Sequence, residues 1–476
     1  MNLNMNTFVN SIKNGSAPDT KTTNGMGAHS NTGSALVDLF ASIGASRDST
    51  REAINTFDRA LKVDKILAAK ILLWARDVRE GAGERMVPRE MLKFLENRDP
   101  DLLIRLLPKL PELGRFDDLL IFTNPIVKDA AMSLFSDALR NGNGLCAKWA
   151  PREKSANRKQ AVELMKFMGL SPKQYRRMIV EATNVVETKM CANEWEDINF
   201  SHVPSVAHSR YKKAFTKNAP VAYGSYVSAL ILGSPGVKIN AGAIFPHDVI
   251  KNAMSAGALS DVIDAQWAAL PNFMGDGHKA LAMVDVSGSM TCSVGGISGT
   301  TCMQVAIALG LYVSDKNSGP FKDLFLTFST RPSFVHLTGK ITDKIQQMSR
   351  ANWDMSTNLE GAFEAILDHA VQNDVPAEDM PSTLLILSDM QFDACVRGAT
   401  ATDMIKKAYT RAGYSIPNVV FWNLKEYGNR PAKSSTPGVA LVSGFSPVIL
   451  SSVLGREIKR PYETMMDVIG NSRYDF

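Results

Sequence analysis

One discontinuity constrains this 476-residue chain more than any other feature: the spacing of its apolar side chains changes near Gly275. From Ser34 onwards they recur at helical spacing, as in SALVDLFASIG, DKILAAKILLWARDV, REMLKFLENRD, DLLIRLLPKLPEL and NPIVKDAAMSLFSDALR. That period places one face of a helix in a core. Breakers separate the runs: Gly81 and Gly83, Asp99–Pro100, Pro108, Pro111, Gly114 and the NGNG at 141–144. The alternation continues to about residue 270 and predicts an all-α region of stacked helix pairs, a HEAT-like helical repeat. No clean sequence period accompanies it, so an irregular helical bundle stays open as the alternative.

Beyond Gly275 short apolar runs replace the helical period: ALAMVDVS (280–287), DLFLTFS (323–329), STLLILSD (382–389), NVVFWNL (418–424) and VALVSGF (439–445). Helical stretches at 301–315, 358–372 and 402–412 lie between them. Buried strands alternating with helices predict a doubly wound, Rossmann-like α/β domain around a mainly parallel sheet. Its ligand site is expected at the carboxyl ends of the strands. Residues 1–32, rich in Asn, Ser, Thr and Gly, read as a flexible arm. The expected domains are therefore 1–32, an α-helical domain over 33–275, and an α/β domain over 276–476.

Charge adds a direction. The first 276 residues carry 35 basic and 29 acidic side chains, the remainder 18 and 19, so a polyanion would meet the helical part. Five cysteines, at 146, 191, 292, 302 and 395, form no CxxC pair, which indicates neither a disulfide framework nor a zinc site. With no basic n-region followed by an apolar run at the start, and no apolar stretch of spanning length, the chain reads as cytoplasmic and without a membrane partner.

The chemistry concentrates after the first strand of the α/β part. VDVSGSM places Asp285, Ser287 and Ser289 on the loop that follows it; Thr357 precedes a helix, and Asp389 follows the strand STLLILS. Two carboxylates and three hydroxyls converging on one sheet edge suit a hard divalent cation, Mg2+ first, with Mn2+ or Ca2+ as alternatives. The competing reading is a loop cluster that folds without an ion. Asp354 and Asp393 lie near these residues and are expected to support them or to face solvent. His202, His208 and His247 lack metal-ligand spacing. No P-loop or dinucleotide fingerprint is present, and no nucleophile or general base is placed for catalysis, so the chain reads as non-enzymatic.

In the helical part, residues 148–177 hold nine basic and two acidic side chains, and SRYKKAFTK (209–217) follows. Lys148, Arg152, Lys154, Arg158, Lys159, Arg176, Arg177, Arg210, Lys212 and Lys213 could pair with phosphates, and Tyr211 could stack on a base. Solvated helix faces are the alternative.

The Asp-x-Ser-x-Ser loop, the distant Thr357 and Asp389 resemble the metal-ion-dependent adhesion site of von Willebrand factor A domains. That resemblance implies direct ligation by Ser287, Ser289 and Thr357, aspartates acting through water, and one position open to a partner's acidic group. WARDVREGAGERMVPREML (74–92), LPELGRFDDLL (110–120), CAKWAPREKSANRK (146–159), VVETKMCANEWEDINFSHVPSVAHSRYKKAF (185–215), LILSDMQFD (385–393) and VFWNL (420–424) extend it. From about residue 24 onwards the chain resembles proteins that join a TROVE-like helical region to a von Willebrand A domain, similar to the Ro autoantigen proteins. The resemblance implies a ring or horseshoe of HEAT-like helices that binds small or misfolded RNA as a ribonucleoprotein scaffold. A monomer is the expected state. The second reading is a metal-dependent protein-interaction module that recruits an acidic partner and binds no RNA.

Overall fold

The computed structural model describes residues 17–183, 185–240, 244–254, 260–275, 277–295, 299–328, 330–349, 357–394, 400–454 and 458–476. The chain divides into two compact units: Met1–Ala68 with Asn272–Asn471, and Ala69–Pro271 with Ser472–Phe476. This division departs from the expected boundaries at both ends.

The first unit is the α/β part. Its six-stranded sheet is built from β3 (Ala280–Asp285), β4 (Leu324–Phe328), β5 (Ser333–His336), β6 (Thr383–Ser388), β7 (Asn418–Asn423) and β8 (Val439–Ser443). The spatial order is β5-β4-β3-β6-β7-β8. All neighbours run parallel except β5, which returns antiparallel on β4. Strands β3 and β6 are buried at every position, as expected of strands covered on both faces. Helices Cys302–Lys316, Leu359–Gln372 and Ala401–Ala412 match the expected ones within two residues. The first opens on a capping box, in which Thr301 Oγ1 accepts from Gln304 N and the Gln304 side chain accepts from Thr301 N.

Helix Ala35–Ser42, expected to begin the helical array, belongs instead to the α/β unit. Ser443 Oγ on edge strand β8 accepts from Gly44 N at 3.0 Å and donates to Phe40 O at 3.4 Å. A Cβ on Gly44 would meet Ser443 O at 2.5 Å, so glycine lets the chain approach the strand. The helix thus covers an edge strand.

The arm expected at 1–32 is held down where it is described. Thr20–Lys21 (β1) and Gly27–Ala28 (β2) pair antiparallel, and isolated bridges join Gly25 to Asp393, Gly27 to Thr400 and His29 to Arg430. Residues 1–16 lie outside the described residues. Backbone pairing, which low apolar content does not reveal, fixes this segment to the α/β unit.

The second unit is helical, and its described residues contain no named strand. Short polar caps set its helix starts: Asp99 before Pro100–Leu106, Asn124 before Pro125–Arg140, and Ser171 before Pro172–Ala182. A buried ion network ties its early helices. Arg76, in Lys65–Arg76, meets Asp118 at 2.7 Å with both side chains essentially inaccessible, and Arg89 reaches Asp118 and Asp117. The tail closes on the same region: Arg473 binds both oxygens of Asp77, and Tyr474 Oη donates to Asp77 Oδ2. The motifs at 74–92 and 110–120 are therefore joined by buried charge.

Candidate cation site

The sheet order reverses direction between β3 and β6, whose carboxyl ends lie side by side. A crevice opens at such a point because the connections leave to opposite sides. Asp285 is the last residue of β3, and Asp389 is the first after β6; both are fully buried.

Asp285 uses each carboxylate oxygen. Oδ1 accepts from Ser287 N at 2.9 Å, which folds the loop back on the strand end. Oδ2 accepts from Ser388 Oγ at 2.5 Å across the neighbouring strand. Ser287 Oγ and Ser289 Oγ stand 3.1 Å apart, Ser289 being carried on the short 3₁₀ turn Gly288–Thr291. Asp389 Oδ1 accepts from Gln391 N at 3.2 Å, whereas the buried Oδ2 accepts no hydrogen bond among the described residues. Four of the five expected residues thus form one cluster.

Thr357 reaches the cluster through its backbone. Thr357 N donates to Asp393 Oδ2 at 3.0 Å and Asp393 N donates to Thr357 O at 3.0 Å, which ties the threonine to the loop that carries Asp389. The Thr357 side chain is buried, and its hydroxyl bonds to none of the other four. Asp393 is accordingly a positioning residue. Asp354 lies outside the described residues.

Burial first, then the charge of Asp389, push the Asp285 carboxyl well above the usual carboxylate range. Asp389 is raised too, by burial, with the nearby Ser289 hydroxyl and the Gln391 amide offsetting part of the shift. Two buried carboxylates that oppose each other's ionisation, with one oxygen unpartnered and hydroxyls alongside, fit a hard cation, which would remove the repulsion and take the free oxygen. Among the described residues no three His, Cys, Asp or Glu side chains gather to hold a metal, so this mixed carboxylate–hydroxyl set is the site to consider.

Sequence reasoning missed three supports. Ser388 reads as strand interior. Lys425, beyond β7, lies near enough for its charge to lower Asp389. The segment before the first helix holds the Asp389 loop: Thr22 Oγ1 donates to Phe392 O at 2.7 Å, Asn24 Nδ2 to Gln391 O at 2.7 Å, and Ala394 N to Asn24 O at 3.0 Å. Met390, in that loop, adopts a φ of 63°, a left-handed conformation uncommon for a side chain with a Cβ.

The basic residues of the helical unit are spread over the turn at 150–157 and the helices Gly144–Trp149, Arg158–Met168, Pro172–Ala182 and Ser205–Asn218. Arg152, Lys154, Arg158, Lys159, Arg176, Arg177, Arg210 and Lys213 are exposed; Lys148, Tyr211 and Lys212 are half-buried. A groove of about 820 Å3 is lined by Lys154, Arg158 and Lys166, with Glu153 as its carboxylate. A second, of about 500 Å3, brings Lys148 together with Lys189, His202 and the start of helix Ser205–Asn218. Part of the charge is neutralised, since Arg176 pairs with Glu153 at 2.5 Å and Arg177 with Glu181 at 2.7 Å. The Tyr211 hydroxyl donates to Glu187 at 3.1 Å, and its ring makes a T-shaped pair with Phe215. His208 and His247 are buried. No helix among the described residues is long and apolar enough to cross a membrane.

The molecule is thus a two-unit protein, one unit helical and the other a doubly wound α/β unit with an oxygen-rich cluster at its switch point. Residues 279–472 match the domain of unknown function DUF7788, and residues 155–276 match the domain of unknown function DUF2828. The chain is 31% identical, over 94% of its own length and 86% of the other, to "Uncharacterized protein L728" of Acanthamoeba polyphaga mimivirus, and it belongs to the same family as that viral protein.

Proposed function

We propose that this chain is a non-enzymatic RNA-binding scaffold of the Ro-like kind, with a Mg2+ adhesion site in its α/β unit. The reading takes that unit as a von Willebrand A domain and the helical unit as HEAT-like. Sheet order supports the first, with its antiparallel edge strand and its cluster at the β3/β6 switch point. The observation that carries the cation site is the buried, unpartnered Asp389 Oδ2 beside the Ser287–Ser289 hydroxyl pair. Asp285 and Asp389 supply charge, Ser287, Ser289 and Thr357 supply neutral oxygens, and Ser388 and Asp393 hold two of these in place. A bound cation with an open coordination position offers a strong ligand site to an acidic oxygen.

RNA would lie on the exposed Arg152, Lys154, Arg158, Lys159, Arg210 and Lys213 with the half-buried Lys212, and the groove beside Lys154, Arg158 and Lys166 would supply phosphate contacts. The test is crosslinking of the tagged chain in its native cell, with sequencing of bound RNA, alongside a Lys212→Glu/Lys213→Glu variant. Enrichment of one small RNA that is lost in the variant supports the reading; equal recovery from both chains removes this surface from it. The same cation cluster favours a second reading, recruitment of an acidic protein partner without RNA. Co-purification of a protein that requires Mg2+ and is lost in Asp285→Ala, with no RNA above background, would put that reading first.

A further inference from the structure

Cys292 and Cys302, ten residues apart in sequence, meet beyond the candidate cation site, the first in the loop that follows it and the second at the start of the next helix. Cys292 Sγ and Cys302 Sγ are 3.4 Å apart, one thiol donating to the other. Their backbones are already paired: Cys302 N donates to Cys292 O at 3.1 Å, Val294 N donates to Thr300 O at 2.9 Å, and Ser293 and Thr301 form an antiparallel bridge between them. Directly opposed antiparallel residues have Cα atoms about 4.5–5.5 Å apart, inside the range a disulfide spans, so side-chain rotation with a small local adjustment closes the bond. The environments differ. Cys292 is partly exposed, with the charge of Lys425 acting on its thiol, whereas Cys302 is buried as the first residue of helix Cys302–Lys316.

We propose that Cys292 and Cys302 form a reversible disulfide site, oxidised by a hydroperoxide and reopened by a dithiol. The accessible Cys292 sulfur attacks the peroxide; an S–O bond forms as the O–O bond breaks, and water from hydrogen peroxide, or the alcohol from an organic hydroperoxide, leaves with the thiol proton. Cys302 sulfur then attacks Cys292 sulfur. The S–S bond forms, the S–O bond breaks, and the departing hydroxide takes the Cys302 proton as water. Two thiols lose two electrons and one hydroperoxide gains them, so the step balances. Cys292 reacts first because it is reachable and faces a cation; Cys302 resolves because no solvent path competes with the neighbouring sulfur. The pair acts whether or not a cation binds nearby.

The test uses the full chain, reduced, freed of reductant, treated with equimolar hydrogen peroxide, blocked with N-ethylmaleimide and mapped by mass spectrometry after digestion. The expected product is a Cys292–Cys302 linked peptide that dithiothreitol reverses, while exposed Cys191 still takes the maleimide. Cys302→Ser should leave a dimedone-reactive sulfenic acid on Cys292, and Cys292→Ser should leave Cys302 unoxidised. Maleimide on both residues after peroxide, a Cys292–Cys395 link, or Cys302 oxidised as readily in Cys292→Ser would overturn the proposal.

Discussion

Ser388 Oγ donates to Asp285 Oδ2 at 2.5 Å, joining the carboxyl ends of the two parallel strands that flank the switch point of the sheet. The same hydroxyl accepts from Met390 N, so one side chain fixes both the Asp285 carboxylate and the turn into the Asp389 loop. Supports of this kind change metal affinity by about 10–100-fold when removed. Ser388→Ala is expected to weaken Mg2+ binding by about tenfold while leaving secondary structure intact. Calorimetric titration checks it; unchanged affinity would place Ser388 in the fold alone.

Two buried carboxylates that oppose each other's ionisation cost stability when no cation lies between them. Asp285→Asn should therefore melt at or above the temperature of the unmodified chain in chelator, yet show no rise on adding Mg2+. The unmodified chain should gain about 2.7 kcal/mol when Mg2+ reaches a hundred times its dissociation constant. Thermal melts with and without Mg2+ decide; an equal Mg2+ response in both proteins would move the cation elsewhere.

The segment around Thr22 and Asn24 holds the loop that carries Asp389 and Asp393. Replacing Asn24 by Ala together with Thr22 by Val removes two hydrogen bonds to that loop, each worth about 1 kcal/mol. The expected outcome is a lower Mg2+ affinity with faster amide exchange at residues 390–394. Exchange unchanged across the loop would show that the segment does not position it.

How far the sequence revealed this arrangement follows from what each signal reports. Apolar runs disclosed β3, β4, β6, β7 and β8 because those strands are buried; β5, mostly exposed, carries no such run. Helical spacing identified Ala35–Ser42 as a helix but not its partner, since an apolar face looks the same whether it meets a helix or strand β8. The clustering of Asp285, Ser287, Ser289 and Asp389 was legible because strand ends and the loops that follow them converge on one sheet edge. Ser388 was not, because its role depends on register between strands far apart in sequence. The Cys292–Cys302 contact likewise depends on a local antiparallel bridge.

Removing one partner of a buried ion pair leaves the other charged and unsolvated. Asp118 is inaccessible and bonded to Arg76, itself 1% exposed. Asp118→Asn is expected to destabilise the helical unit by about 3–5 kcal/mol. Urea unfolding followed by helical circular dichroism checks it; a loss below about 1 kcal/mol, as for an exposed pair, would mean that solvent reaches the network.

His208 supplies the pH dependence. It is buried among Phe215, Tyr223 and Tyr226, and neither ring nitrogen finds a hydrogen-bond partner among the described residues. Burial, with the charge of Lys212 adding to it, pushes its pKa down to about 4 from an ordinary value of 6.5. The unfolded chain therefore binds a proton that the folded chain refuses between those two values. Stability from this residue is complete above about pH 6.5 and is lost as the pH falls towards 4, by on the order of 3 kcal/mol at the end of that window. His208→Phe keeps a ring in the aromatic cluster and removes the titration, so its stability should stay flatter between pH 7 and 4. Urea midpoints measured across that range for both proteins test it: parallel curves would mean that His208 is protonated within the fold, whereas curves that diverge below pH 6.5 locate the acid sensitivity of the helical unit in this side chain.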